Sequence, residues 1–149
     1  MNIECKQCKP GFGGNGDSVR IFADISKNPF WTGFVVAVKR DYFGETPARG
    51  LNLSGARRLV FYAKSDQENV YIQVKAAVNH DKPFGDSAEL PITSEWEPLN
   101  QDWQRFEIPI RGNVDLSRVI SPLALFVDRN HNPDQDVITF YIDEIYYEF

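Results

Sequence analysis

Residues 139–149, TFYIDEIYYEF, form the stretch that decides the fold. Apolar residues alternate on even positions as far as Ile142 and on odd positions from Ile145 to Phe149. Because side chains along a strand repeat every two residues, a change of parity needs one extra residue, which is a β-bulge. The sequence therefore predicts a closing β-strand with a bulge at residues 143–144.

A pair of acidic residues, Asp143 and Glu144, lies at this predicted bulge. A carboxylate inside a terminal strand is costly unless it is paired, hydrogen-bonded or bound to a metal. We therefore expect Asp143 to hold a partner of one of these kinds.

Strand-like alternation continues upstream of the closing strand. Leu59, Phe61 and Ala63 share one face of the first clear example, residues 59–64, and residues 69–78 repeat the pattern. Because no window sustains a helical period, we predict an all-β fold of about seven or eight strands, an antiparallel two-sheet β-sandwich or jelly roll. The remaining predicted strands are residues 18–26, 31–40, 103–110, 123–128 and the closing strand.

The irregular parts of the chain set the predicted domain boundaries. Residues 1–17 are polar and Gly-rich, and we interpret them as an irregular segment before a single domain of residues 18–149. A turn is predicted at residues 28–29. Residues 79–102 are predicted to be the longest loop, and a loop of that length in a compact domain is often functional.

Composition excludes several classes of function. The chain has 149 residues and a net charge of −5, whereas a nucleic-acid surface needs a basic stripe. No apolar run approaches the roughly 20 residues that span a membrane, and no basic-then-apolar leader is present. We therefore expect no nucleic-acid partner and no membrane insertion.

Catalytic and metal motifs are sparse. No Ser-His-Asp arrangement, HExxH or redox motif is present, so we predict that the chain is not an enzyme. Cys5 and Cys8 would form half of a zinc site if His80 and His131 completed it, but a second Cys pair is missing and the two histidines lie in different predicted loops, so the zinc site is the less favoured interpretation. The favoured interpretation is a free or locally bridged dithiol, with both histidines solvated in loops.

A succession of short phrases points to a known family. In order, they lie at residues 31–33, 53–56, 59–64, 83–87, 103–110, 115–117 and 140–145. With this succession the chain resembles the galactose-binding-like β-jelly rolls that serve as carbohydrate-binding modules beside glycoside hydrolases.

The resemblance implies a glycan-binding accessory module of a larger assembly, which could include a catalytic domain or another protein. For a module of a secreted protein, it favours an extracellular or cell-surface location. The alternative is a structural or protein-interaction β-sandwich domain that binds no glycan.

The resemblance also implies a structural calcium ion, held by the N-terminal segment and by an Asp of the last strand. By position that Asp is Asp143, and Asp17 with the carbonyls of Asn15 or Gly16 would supply further oxygens. The alternative is that Asp143 caps backbone amides at the bulge or pairs with an arginine.

The alternation of side chains along the strands predicts which residues would contact a glycan. Aromatic rings stack on sugar faces, and planar polar groups hydrogen-bond to hydroxyls. We expect an outward patch of such residues, with one tryptophan on the long loop as its rim. The predicted ligand-binding residues are Tyr62, Tyr71, Gln73, Lys75, Trp96, Phe126 and Asp128.

We expect far-UV circular dichroism to show a β-rich spectrum with almost no helix. The physical reason is that alternation with a period of two fits strands and not helices. A helix content above about a fifth, where ordinary proteins have about a third, would contradict the predicted fold.

Overall fold

The computed structural model describes residues 2–3, 12, 16, 18–27 and 31–149. These residues contain no α-helix, and hence no helix long and apolar enough to cross a membrane. The strands are β1 (Asn2–Ile3), β2 (Val19–Asp24), β3 (Trp31–Val36), β4 (Arg58–Lys64), β5 (Val70–Ala76), β6 (Ile92–Leu99), β7 (Gln104–Pro109), β8 (Leu123–Asp128) and β9 (Val137–Glu148).

The strands form two antiparallel sheets. One is five-stranded, in the order β1-β2-β9-β4-β7, and the other is four-stranded, in the order β3-β8-β5-β6. Each sheet turns its alternating apolar residues toward the other, as in sheet-on-sheet packing. The predicted antiparallel two-sheet β-sandwich is confirmed.

The core lies between the sheets and follows the predicted parity. Leu59, Phe61 and Ala63 of β4 are buried against Val70 and its inward-facing neighbours on β5, all at most 1% exposed. Burial of a Leu, Val or Phe side chain contributes about 1.5–3 kcal/mol each. The inward faces of these strands therefore provide much of the driving force for folding.

The predicted bulge in β9 is present. Tyr62 of β4 pairs with Asp143 and Val60 pairs with Tyr146, so the one residue between them on β4 opposes two residues of β9, 144 and 145. Glu144 takes up the extra length with a φ of 48°, in the left-handed region that non-glycine residues seldom adopt.

The parity change after the bulge brings one aromatic residue inward. Tyr147 packs against the core, and its hydroxyl donates to the carbonyl of Pro122 at 2.6 Å. Burial, together with the nearby Asp86 carboxylate, raises the pKa of Tyr147. Ile145 and Phe149 remain 40% and 63% exposed, so the predicted inward alternation holds only at Tyr147.

One strand was missed by the pattern. Residues 79–102 were predicted as a loop, yet β6 (Ile92–Leu99) lies inside them. Its Ile92 and Ser94 are buried, but glutamates and Pro98 follow and obscure the alternation. Because β6 is an edge strand, it tolerates a proline that a central strand would not.

The predicted turn at residues 28–29 lies outside the described residues, and the predicted irregular segment contains β1.

A buried carboxylate joins the ends of two central strands. Asp86, 5% exposed, follows β5 in a loop and accepts hydrogen bonds from the backbone amides of Asn79, Ile120 and Ser121 at 2.8, 2.7 and 3.1 Å. The hydroxyl of Ser121 donates to the same carboxylate at 2.5 Å. Asp86 thereby fixes the chain after β5 against the chain before β8.

We expect Asp86→Ala to lower the free energy of unfolding by at least about 3 kcal/mol, because it leaves several buried donors without an acceptor. The measurement is urea denaturation, with the exposed Asp81→Ala in the same loop as the matched control. Equal stability of the two variants would contradict this role of Asp86.

Candidate functional site

The outer face of the four-stranded sheet carries a row of residues that crosses all four strands. Gly33 of β3 pairs with Phe126 of β8, Phe126 pairs with Gln73 of β5, and Gln73 pairs with Trp96 of β6. All four residues therefore face away from the core, because Val74 and Leu125, their neighbours along β5 and β8, face into it.

Residues of the neighbouring rows complete a shallow cavity. Trp31 pairs with Asp128 on one side of the central row, and Lys75 pairs with Ala124 on the other. The cavity holds about 270 Å³. We call it the aromatic groove, and its lining residues are Trp31, Gln73, Lys75, Trp96, Phe126, Val127 and Asp128.

A glycine lets the floor of the aromatic groove lie flat. A Cβ added at Gly33 would lie only 2.6 Å from both Cδ1 and Cε1 of Phe126, so the ring occupies the space above this glycine. The Lys75 ammonium lies 5.0 Å from the centre of the same ring, within cation–π range. Phe126 thus forms a flat apolar floor with a cation beside it.

Two tryptophans flank this floor on the two edge strands. Trp31 is 55% exposed, and its ring lies 6.3 Å from the Phe126 ring at an angle of 38°. Trp96 is half-buried, and the imidazole of His131 stacks on it at 3.9 Å and 13°.

Polar groups of the groove are held in fixed orientations. Gln73 Nε2 donates to the carbonyl of Ser94 at 3.2 Å. Asp128 Oδ1 accepts from the backbone amide of His131 and contacts its Nδ1, both at 2.8 Å. The groove therefore combines apolar ring faces with an amide, a carboxylate and an ammonium, which suits a ligand with both CH faces and hydroxyl groups.

The structure brings together five of the predicted ligand-binding residues and separates two. Tyr71 lies beyond the central row, beside a neighbouring depression, and its backbone N–H and C=O bond to the Asn132 side chain. The five residues that line the groove are Gln73, Lys75, Trp96, Phe126 and Asp128.

The prediction that Tyr62 shares a face with Tyr71 is wrong. Parity along a strand gives its faces but not its sheet, and the chain passes from the five-stranded to the four-stranded sheet between β4 and β5. Tyr62 therefore lies on the outer face of the opposite sheet, where its ring stacks on Phe12 at 3.8 Å and 26°.

Sequence reasoning also missed two residues of this region, Trp31 and His131, and placed Trp96 in the wrong kind of element. Trp31 begins a strand and was left out of the predicted ligand-binding set, although its odd parity with Gly33 marks an outward position. Trp96 was expected on a loop but lies in β6. His131 was interpreted as a solvated loop residue but stacks on Trp96. No local sequence pattern predicts such a contact.

Asp143, the predicted calcium ligand, accepts hydrogen bonds from backbone amides at the bulge of β9. Its two oxygens accept the backbone amides of Phe12 and Glu144, each at 2.8 Å. Asp17 and Asn15 lie outside the described residues, as do Cys5 and Cys8 of the considered zinc site. Among the residues that the structure describes, no cluster of three His, Cys, Asp or Glu could hold a metal ion. Calcium takes six to eight oxygens, so calcium at Asp143 stays a prediction.

Comparison with known proteins identifies the fold. No protein-family model and no curated protein matches the sequence. The structure is similar to a crystal structure of a family 30 carbohydrate-binding module, with a TM-score of 0.62 and 14% identity over 96% of this chain and 75% of that one. A second such crystal structure gives 0.61 and 17%, over 99% and 83%.

A third similar structure is the family 30 carbohydrate-binding module of the cellulosomal cellulase Cel9D-Cel44B of Clostridium thermocellum. It has a TM-score of 0.61 and 15% identity over 96% of this chain and 83% of that one. At these identities the similarity establishes a shared fold.

We expect Asp143→Ala to lower the free energy of unfolding by about 1 kcal/mol, because two amides lose their acceptor. If calcium also binds there, it stabilises the wild type by RT ln(1 + [L]/Kd) and leaves the variant unaffected. The measurement is the melting temperature with calcium and with a chelator, and Glu144→Gln is the control. A wild type that is indifferent to chelator would contradict the calcium prediction.

Proposed function

We propose that this chain is a non-catalytic carbohydrate-binding module that binds a glycan in the aromatic groove. The observation that carries the proposal is the groove itself, in which Trp31, Phe126 and Trp96 surround Gln73 and Asp128 on one open sheet face. Rings presented outward from a sheet do not contribute to the core between the sheets, so a ligand is the natural reason for their arrangement.

The chemistry of the groove fits a sugar better than a purely apolar ligand. The apolar CH face of a pyranose ring can stack on an aromatic ring, and each such contact contributes about 1 kcal/mol by analogy with aromatic pairs. Gln73 and Lys75 can donate to hydroxyl oxygens, and the Asp128 carboxylate can accept from hydroxyl groups. The fold shared with family 30 carbohydrate-binding modules also supports this proposal.

The groove is better suited to binding than to hydrolysis. Most glycosidases place two carboxyl groups on either side of the scissile bond. Among the described residues that line the groove, Asp128 is the one carboxylate, and His131 already occupies one of its oxygens. In a larger protein, the role of this chain would be to hold a catalytic domain or another partner near a glycan.

We expect Trp31→Ala to weaken glycan binding about fivefold or more, since about 1 kcal/mol of stacking is lost. Its melting temperature should stay within about 2 °C of the wild type, because the side chain is mostly exposed. The measurement is a glycan array, followed by calorimetric titration of the best glycan.

Tyr146→Ala is the matched control for Trp31→Ala. It removes a partly exposed ring, 39% exposed, from the five-stranded sheet and should leave glycan affinity unchanged. If the wild type binds no glycan with or without calcium, the proposal fails and the structural or protein-interaction domain takes its place.

A further inference from the structure

We infer that His131 is a positioning residue, which holds the Trp96 indole in the orientation that the aromatic groove requires. The inference rests on the proposed function, since it concerns the same groove. The imidazole and indole rings are 3.9 Å apart and within 13° of parallel, which is close stacking. His131 comes from the loop between β8 and β9, whereas Trp96 belongs to β6 at the edge of the sheet.

The imidazole is itself held firmly. Asp128 is the last residue of β8, and its Oδ1 accepts a hydrogen bond from the backbone N–H of His131. The same oxygen lies 2.8 Å from Nδ1 of the imidazole. Nδ1 of the imidazole thus lies within hydrogen-bond distance of a carboxylate oxygen that also anchors the His131 backbone. The ring plane of His131 is therefore fixed by a groove residue before any ligand arrives.

The loop that carries His131 is anchored on the neighbouring strand. Asn132 is fully buried, and its side chain accepts the Tyr71 amide at 2.8 Å. Its Nδ2 donates to the carbonyls of Tyr71 and Asp128, both at 3.0 Å. A buried amide with all of these bonds made leaves the loop little freedom to shift.

Trp96 has a particular need for such support. Among the described strands β6 pairs with β5 alone, and the register between them shifts beside Trp96, between Gln73 and Lys75. Within the part of the chain that the structure describes, no strand lies beyond β6 to pack against this side chain.

The position of the His131 imidazole shows whether it supports the Trp96 ring or blocks a ligand from reaching it. Trp96 lines the aromatic groove, whereas His131 does not. Trp96 therefore still borders the groove while the imidazole is stacked on it, so part of the indole is left to contact a ligand. Fixing a ring before binding reduces the conformational entropy that the ligand must otherwise overcome.

The test compares His131→Ala with His131→Phe in the intact chain. Alanine removes the stack, whereas phenylalanine keeps a flat ring against Trp96 and loses only the hydrogen bond to Asp128. The first readout needs no ligand and is the near-UV circular dichroism contributed by Trp96, obtained by difference from Trp96→Phe. The second readout is the affinity for the best glycan found on an array.

We expect His131→Ala to reduce the Trp96 signal and to weaken glycan binding about three- to tenfold, with a melting temperature within about 2 °C of the wild type. His131→Phe should restore most of the signal and of the affinity. Recovery by a ring that cannot bond to Asp128 would identify stacking as the contribution of His131.

Other outcomes would overturn the inference. An unchanged Trp96 signal and affinity in His131→Ala would refute positioning while leaving glycan binding intact. A gain of affinity would show that the imidazole obstructs the stacking face. If affinity falls only together with the melting temperature and His131→Phe does not restore it, the role is merely structural. Failure of the wild type to bind any glycan would instead overturn the proposed function.

Discussion

The pairing of β5 with β8 is the constraint on which the aromatic groove depends. The register between these strands extends only from Gln73 to Lys75, yet it aligns the floor of the groove. Buried polar side chains hold it at both ends. Asp86 joins the chain after β5 to the chain before β8, and Asn132 joins the other ends. Buried polar groups stabilise only when satisfied, so these two positions tolerate little change.

The groove is a product of tertiary structure and not of any one motif. Its lining residues come from β3, β5, β6 and β8, and the pairings of β3 with β8 and of β5 with β8 join strands that lie far apart in the sequence. The residue that supports Trp96 is also distant in sequence, because His131 lies in the loop after β8 whereas Trp96 belongs to β6. The hydrogen bonds that hold Gln73 and Asp128 leave few internal motions to be lost when the proposed glycan binds.

Alternation along a strand predicted a good part of this fold. It gave the inward residues of β4 and β5, the bulge in β9 and the outward position of Phe126. It could not assign strands to sheets, so Tyr62 was grouped with residues of the opposite face. It also missed β6, because an edge strand with Pro98 and a register shift follows no regular period. Contacts between distant loops, such as that of His131, leave no periodic signal.

Gly33 shows how stability and recognition can conflict in one residue. Glycine weakens a strand, and a β-branched residue at this position would normally favour the sheet. Any side chain here would displace the Phe126 ring that lies over it. An engineer who optimises this protein for thermal stability from strand propensity alone would select Gly33 for replacement and would thereby raise the floor of the groove. The least stabilising residue of β3 is thus the one that sets the depth of the groove.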